Sequence, residues 1–194
     1  MISHVKIETA PTGYPVSVED IKEHAIIEHD NDNWLLNSYL RAAIADLDPP
    51  YGILGRAMME QTLIAYLTGF DSDRIYLPYP PLVSVTSVKY QDSDGNEQTV
   101  DSSTYEVITG AEPGYVAILD GENWPTDEDD ISTPVLIEYK AGYTSVPEGI
   151  KFYIMLLVAE MYRQREMSTV MATKNNPLWM NMIEKYRFRF AGWE

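Results

Sequence analysis

Three patterns carry residue types that do chemistry in other proteins. His24 and His29 bracket Ala25-Ile26-Ile27-Glu28, a superficial match to a zinc-binding helix. Two ligands share a helical face at a spacing of four, and these histidines are five apart. Asp92-Ser93-Asp94-Gly95 shares a fragment of a calcium loop. It lacks the third acidic ligand and the distant bidentate glutamate that complete such a loop. It also lies between two β-branched runs, so a hairpin turn is expected there. Glu122, Asp127, Glu128, Asp129 and Asp130 offer the paired carboxylates that glycoside hydrolysis uses. A run of adjacent acids behind Trp124-Pro125 is expected to be an exposed, solvated loop. With no cysteine, the chain has no thiol nucleophile, disulfide or thiolate metal site. It has neither a Gly-rich phosphate loop nor a G-x-S-x-G elbow. These residues point to no catalysis, no cofactor and no metal.

The elements that would position any site follow from patterning. Residues 1–16 read as an extended or poorly ordered arm, since Pro11, Gly13 and Pro15 oppose a helix. Ser17 with Asp20 has capping-box spacing and opens a helix over Val18–Glu28, with Val18, Ile21 and Ala25 on one face. A second helix runs from Asp30 or Asn31 to about Asp48, striped by Leu36, Leu40, Ala43 and Leu47, and Pro49-Pro50 ends it. Strands are predicted from about Met59, and near Ile75–Leu77, Ser84–Gln91, Glu97–Val100, Tyr105–Ile108, Tyr115–Leu119 and Pro134–Ala141. Ser145 and Glu148 repeat the capping-box spacing before a helix over Ile150–Glu166. Ile150, Tyr153, Ile154, Leu157, Val158 and Met161 stripe one face of it, and Phe152, Met155, Leu156 and Ala159 make the opposite side apolar as well. A helix apolar on both faces is buried in a bundle core or between subunits. Asn176 and Pro177 open a last helix. The fold class is therefore α+β: a helical bundle from residues 17–55 and 142–166, a β-rich insertion over 56–141, and a C-terminal tail over 167–194.

Charge is uneven along the chain. Residues 1–150 hold 7 Lys/Arg against 26 Asp/Glu, while residues 151–194 hold 7 against 4, within a total of −16. An acidic body does not wrap nucleic acid, because phosphate neutralisation needs a positive surface. Acidity keeps a protein soluble, and it also suits a wall that DNA passes without sticking; both readings stand. No apolar run is long enough to span a bilayer. MISHVKIETAP lacks the charged-then-apolar pattern of a secretory signal, so synthesis in a cytoplasm is expected.

Two aromatic sets have binding and packing readings. Tyr76, Tyr79 and Tyr90 suit either a sugar platform or cross-strand packing. Near the C-terminus, Trp179, Ile183, Tyr186, Phe188, Phe190 and Trp193 alternate with Lys185, Arg187 and Arg189. Aromatic and Arg residues of this kind anchor interfaces, and they also pack a helix onto its own body.

Several segments together resemble the phage head–tail connector (adaptor) family, in its longer form with a β-rich insertion. VEDIKEHAIIEHDNDNWLLNSYLRAAIADLD looks like its opening helices. GRAMMEQT and then IYLPYPPLVSVTSVKYQDSDGNEQTVDSSTYEV look like its central region. NWPT and then VLIEYKAGYTSVPEGIKFYIMLLVAEMYRQRE resemble its closing strand and helix. The more specific parts are LP-x-PP-L-x-SV-x-S-V and the later Y-x-AGY-x-x-x-P-E-x-I. The likeness covers about residues 17–166. Pro49-Pro50-Tyr51 departs from it by interrupting the run out of the second helix, and residues 167–194 match none of its motifs.

The resemblance implies a structural virion protein at the head–tail junction. It implies a ring, in the family typically of twelve copies, that binds the portal protein, extends the DNA channel and offers a surface to a tail or stopper protein. DNA would pass through without specific binding. On that basis Phe152, Met155, Leu156 and Ala159 are expected at the contact between copies. Trp179, Ile183, Tyr186, Arg187, Phe188, Arg189, Phe190 and Trp193 are expected against the portal. A tail-completion role and a carbohydrate- or receptor-binding module are the alternatives.

Overall fold

The computed structural model describes residues 1–126, 128–164 and 177–190, with side chains from residue 181 in the last stretch. Its class is α+β with antiparallel sheets, as the patterning predicts. Two compact units divide the chain. A β unit takes Met1–Pro11, Met59–Tyr143 and the described end from Arg189, and a helical unit takes Thr12–Met58 and Thr144–Phe188.

The β unit holds eight strands. They are β1 Ile2–Thr9, β2 Gln61–Leu67, β3 Arg74–Tyr76, β4 Leu82–Gln91, β5 Glu97–Thr99, β6 Tyr105–Ile108, β7 Tyr115–Ile118 and β8 Val135–Ala141. One sheet runs β1-β2-β8-β4-β5 and the other β3-β7-β6. Period-two alternation fixes the register in the middle of the larger sheet: Leu63 lies opposite Tyr139, Ala65 opposite Ile137 and Leu67 opposite Val135, and all six are buried. Tyr139 is the largest of these fully buried side chains, and its hydroxyl donates to the Pro78 carbonyl at 3.0 Å. Burial pushes that phenol well above its ordinary pKa.

Two details of this unit go beyond the sequence reading. Within the segment read as an arm, residues 2–9 form β1, at the edge of the larger sheet, where it pairs with β2. Strand β4 does not alternate throughout. Register shifts between Leu82 and Ser84 and between Val85 and Ser87 interrupt its pairing with β8, and Val83 is left exposed.

The helical unit packs α1 (Val18–Ala25), α2 (Asn33–Leu47), α3 (Glu148–Gln164) and α4 (Pro177–Glu184). The capping box is formed: the Ser17 hydroxyl accepts from the Asp20 N–H, and the Asp20 carboxylate accepts from the Ser17 N–H. The predicted stripe of Leu36, Leu40, Ala43 and Leu47 is buried, as are Ile150, Tyr153, Ile154, Leu157, Val158 and Met161 on α3. Helix α1 stops three residues short of the expected Glu28. Ile26 takes a left-handed conformation (φ 55°, ψ 51°), and the Ile27 N–H turns back to the Lys22 carbonyl at 2.9 Å. That is a helix terminator that glycine usually provides, so no residue type announced it.

Candidate functional site

The described residues of the chemical patterns are engaged as follows. The His4 ring stacks on Tyr66 at 4.4 Å, and His24 meets the edge of Phe152 at 5.5 Å. Among the described residues no group of three His, Asp or Glu could hold a metal ion. The carboxylate of Asp92 accepts from the N–H groups of Asp94 (3.1 Å) and Asn96 (2.9 Å) and from the side-chain amides of Asn96 (3.3 Å) and Gln98 (2.7 Å). The Gln98 bond, followed by the Asn96 N–H, holds it below the ordinary aspartate range. These four bonds close the β4–β5 hairpin, with Gly95 at φ +82°.

The acidic run departs from a free loop. Asp127 lies outside the described residues. The Asp129 N–H donates to the Gln91 carbonyl at 2.8 Å, Glu128 forms a bridge to Asp92, and its side chain reaches over Gly69. Backbone pairing at the end of β4 thus pins the near part of the run, while Asp130 is exposed.

The tyrosine set is mostly packing. Tyr79 is buried, and Tyr90 meets the edge of Phe70, which stacks on Trp124 at 4.9 Å. The Trp124 indole N–H donates to the Ser72 carbonyl at 3.1 Å. Only Tyr76 is exposed, tilted on Tyr115 at 5.2 Å.

The helical unit also presents apolar surface. On α3, the face opposite the core carries Phe152, 43% exposed, with Met155, Leu156 and Ala159 partly exposed behind it. The α3 spacing fixes this face, because residues three and four apart share a side.

The C-terminal aromatic–basic set does not stand together as a free surface. Ile183 is 1% exposed and belongs to the helical core. Tyr186 packs against Gly149, where an added Cβ would meet its hydroxyl at 2.4 Å. The Lys185 ammonium lies 4.8 Å from the Tyr186 ring centroid, and Arg187 pairs with Glu184 at 3.5 Å. The Phe188 N–H donates to the Leu54 carbonyl at 2.7 Å, with the Arg56 guanidinium 5.9 Å from its ring. Phe190 lines a cavity of about 480 Å³ in the β unit, with Ile2, Leu67, Ile75 and Tyr76. Arg189 is exposed. The Trp179 side chain and Trp193 lie outside the described residues. Helical spacing put Trp179, Ile183, Tyr186 and Phe190 on one face, but α4 ends at Glu184, and no local signal marked the return of residues 186–188 onto the helical unit.

No protein-family model matches the chain, and no curated protein matches it. Solved structures do. The chain is similar to one in the neck of an empty gene transfer agent (GTA) particle computed with C6 symmetry, with a TM-score of 0.76, 24% identity, and coverage of 97% of this chain and 98% of that one. It is similar to one in the neck of a native GTA particle computed with C12 symmetry, with a TM-score of 0.74, 25% identity, and coverage of 97% and 98%. A third match comes from the virion of a native GTA particle, with a TM-score of 0.74, 24% identity and coverage of 97% of each chain. The fold is thus one found in the necks of these particles, shared across nearly the whole chain.

Proposed function

We propose that this chain is a structural neck protein of a phage-like particle, acting as a head–tail connector (adaptor) in a ring beneath the portal. The observation that carries this reading is the end-to-end match of both units to chains from particle necks, 97% of this chain in each comparison. The C6 and C12 symmetry of those necks supports many copies about one axis, in keeping with the twelve implied by the family resemblance. In this reading the chain binds the portal protein, extends the DNA channel and presents a surface to a tail or stopper protein. It works by shape and contact, without a chemical step. Net charge of −16 suits a channel wall that repels DNA in transit.

Contacts between copies are assigned to the outer face of α3, Phe152, Met155, Leu156 and Ala159. Portal contact is assigned to the C-terminal segment through Tyr186, Arg187 and Arg189, with Trp179 and Trp193. Ile183 and Phe188 hold that segment to the body. Electron microscopy of the full chain mixed with purified portal tests the reading, and rings seated on the portal are expected. Phe152→Asp should leave the chain folded and remove the rings. Portals that stay bare with the wild-type chain would overturn the adaptor role.

A further inference from the structure

Of the large apolar side chains described in the helical unit, Tyr51 and Ile26 are the most exposed, ahead of Trp34 at 68%. Ile26 is 83% exposed while held at φ 55°. A β-branched side chain in left-handed backbone is strained, and here that strain gains no burial within the chain. Tyr51 is 95% exposed. It sits in the Pro49-Pro50-Tyr51 stretch that departs from the family pattern. The turn around it is rigid: the Gly52 N–H donates to Asp48 at 2.8 Å, the Ile53 N–H to Asp46 at 2.9 Å and the Leu54 N–H to Leu47 at 3.2 Å, all at carbonyls. A Cβ on Gly52 would meet the Leu47 carbonyl carbon at 2.1 Å, so the turn cannot relax around a larger residue. Among the described residues nothing packs over the Tyr51 ring, which stands on this hydrogen-bonded turn.

The two features lie at opposite ends of α2. Ile26 lines a groove of about 470 Å³ with Ile27, Glu28, Ala159, Tyr162 and Arg163. The Tyr162 hydroxyl donates to Asp32 at 2.6 Å, which ties the groove to the start of α2, whereas Tyr51 follows its end. Fifteen helical residues put about 22 Å between those ends. The groove offers apolar walls from Ile26, Ile27 and Ala159 with charged groups at Glu28 and Arg163. That mixture fits a phenol, which has an apolar ring and a polar tip.

We propose that Tyr51 of one copy seats in the Ile26 groove of the next. A knob and a hole at different ends of the same unit form a heterologous contact. Such a contact repeats head to tail and closes into a ring when its rotation allows. The inference rests on the ring reading above and names one contact within it. It accounts for both exposed residues, and it joins Ala159 on the outer face of α3 to the same interface.

The natural chain has no cysteine, which makes the contact directly testable. Full chains carrying Tyr51→Cys or Ile26→Cys are mixed at high concentration and oxidised. Cross-links between the two variants are expected well above those within either one. Ile26→Gly should keep or raise the melting temperature, because glycine accepts the left-handed backbone. It should still weaken self-association about tenfold or more, as loss of a buried interface anchor does. Tyr51→Ser should weaken association similarly with an unchanged melting temperature. If the wild type associates while both variants associate equally and no mixed cross-link forms, the contact is overturned and the ring reading stands. A wild-type chain that stays monomeric at millimolar concentration counts against the ring reading itself, and against the contact with it.

Discussion

The Phe188 N–H donates to the Leu54 carbonyl at 2.7 Å, and the next residue, Gly55, lies directly beneath the returning segment. Gly55 sits at φ +64°, where an added Cβ would come within 2.0 Å of the Phe188 carbonyl oxygen. Gly55→Ala should therefore destabilise the chain by about 2–4 kcal/mol, combining left-handed strain with displacement of the segment. Urea denaturation measures it, and trypsin should cut faster after Arg187. An unmoved midpoint would show that the segment is not held there.

Ser17 and Asp20 close the N-terminus of α1 reciprocally. Ser17→Ala should cost about 1 kcal/mol, the usual value of an N-cap. Bonds from Ser17, the backbone N–H first, hold the Asp20 pKa below its ordinary value. A carboxylate lowered in the folded state adds stability above its unfolded pKa and loses it as pH falls through the folded one. The gap between wild type and Ser17→Ala should thus narrow in acid. NMR titration of Asp20 should show its pKa rising only part of the way toward the ordinary value in the variant, because the residue 17 backbone N–H still donates to it. An identical titration in both proteins would remove the hydroxyl from the account.

Tyr139 is buried at the centre of the larger sheet with its hydroxyl on Pro78. Tyr139→Phe keeps the ring and removes that bond, so a loss of about 1 kcal/mol is expected. Tyr139→Leu should cost more, because it also leaves space in a close-packed core. Equal stability of all three proteins in thermal melts would contradict the packing described.

Asp92 gathers four hydrogen bonds inside one hairpin. Asp92→Ala should speed amide exchange at Asp94 and Asn96 while leaving β2 and β8 protected. Calcium should leave the melting temperature where it is, since the carboxylate is already engaged. A calcium-dependent rise would restore the metal reading.

Local signals were legible, and long-range ones were not. The Ser17–Asp20 box, the stripe on α2, the turn at Gly95 and the two faces of α3 depend on neighbours a few residues apart, so residue types reveal them. Strand β1 was hidden because its partner, β2, lies on the far side of two helices in sequence. The stop at Ile26 was hidden because isoleucine is the wrong residue for a left-handed terminator. The candidate interface was half legible: spacing exposed the outer face of α3. The groove at Ile26, and the attachment of Phe188 to Leu54, required two distant stretches to be brought together.

The bond between Leu54 and Phe188 also sets an order of events during synthesis. The segment bearing Leu54 leaves the ribosome early, yet its partner emerges only after the whole β excursion has been made. The nascent helical half thus waits, incomplete, until Ile183 and Phe188 arrive. A truncated product would present an unfinished helical half to its neighbours, so incomplete chains would be poor building blocks for an assembly.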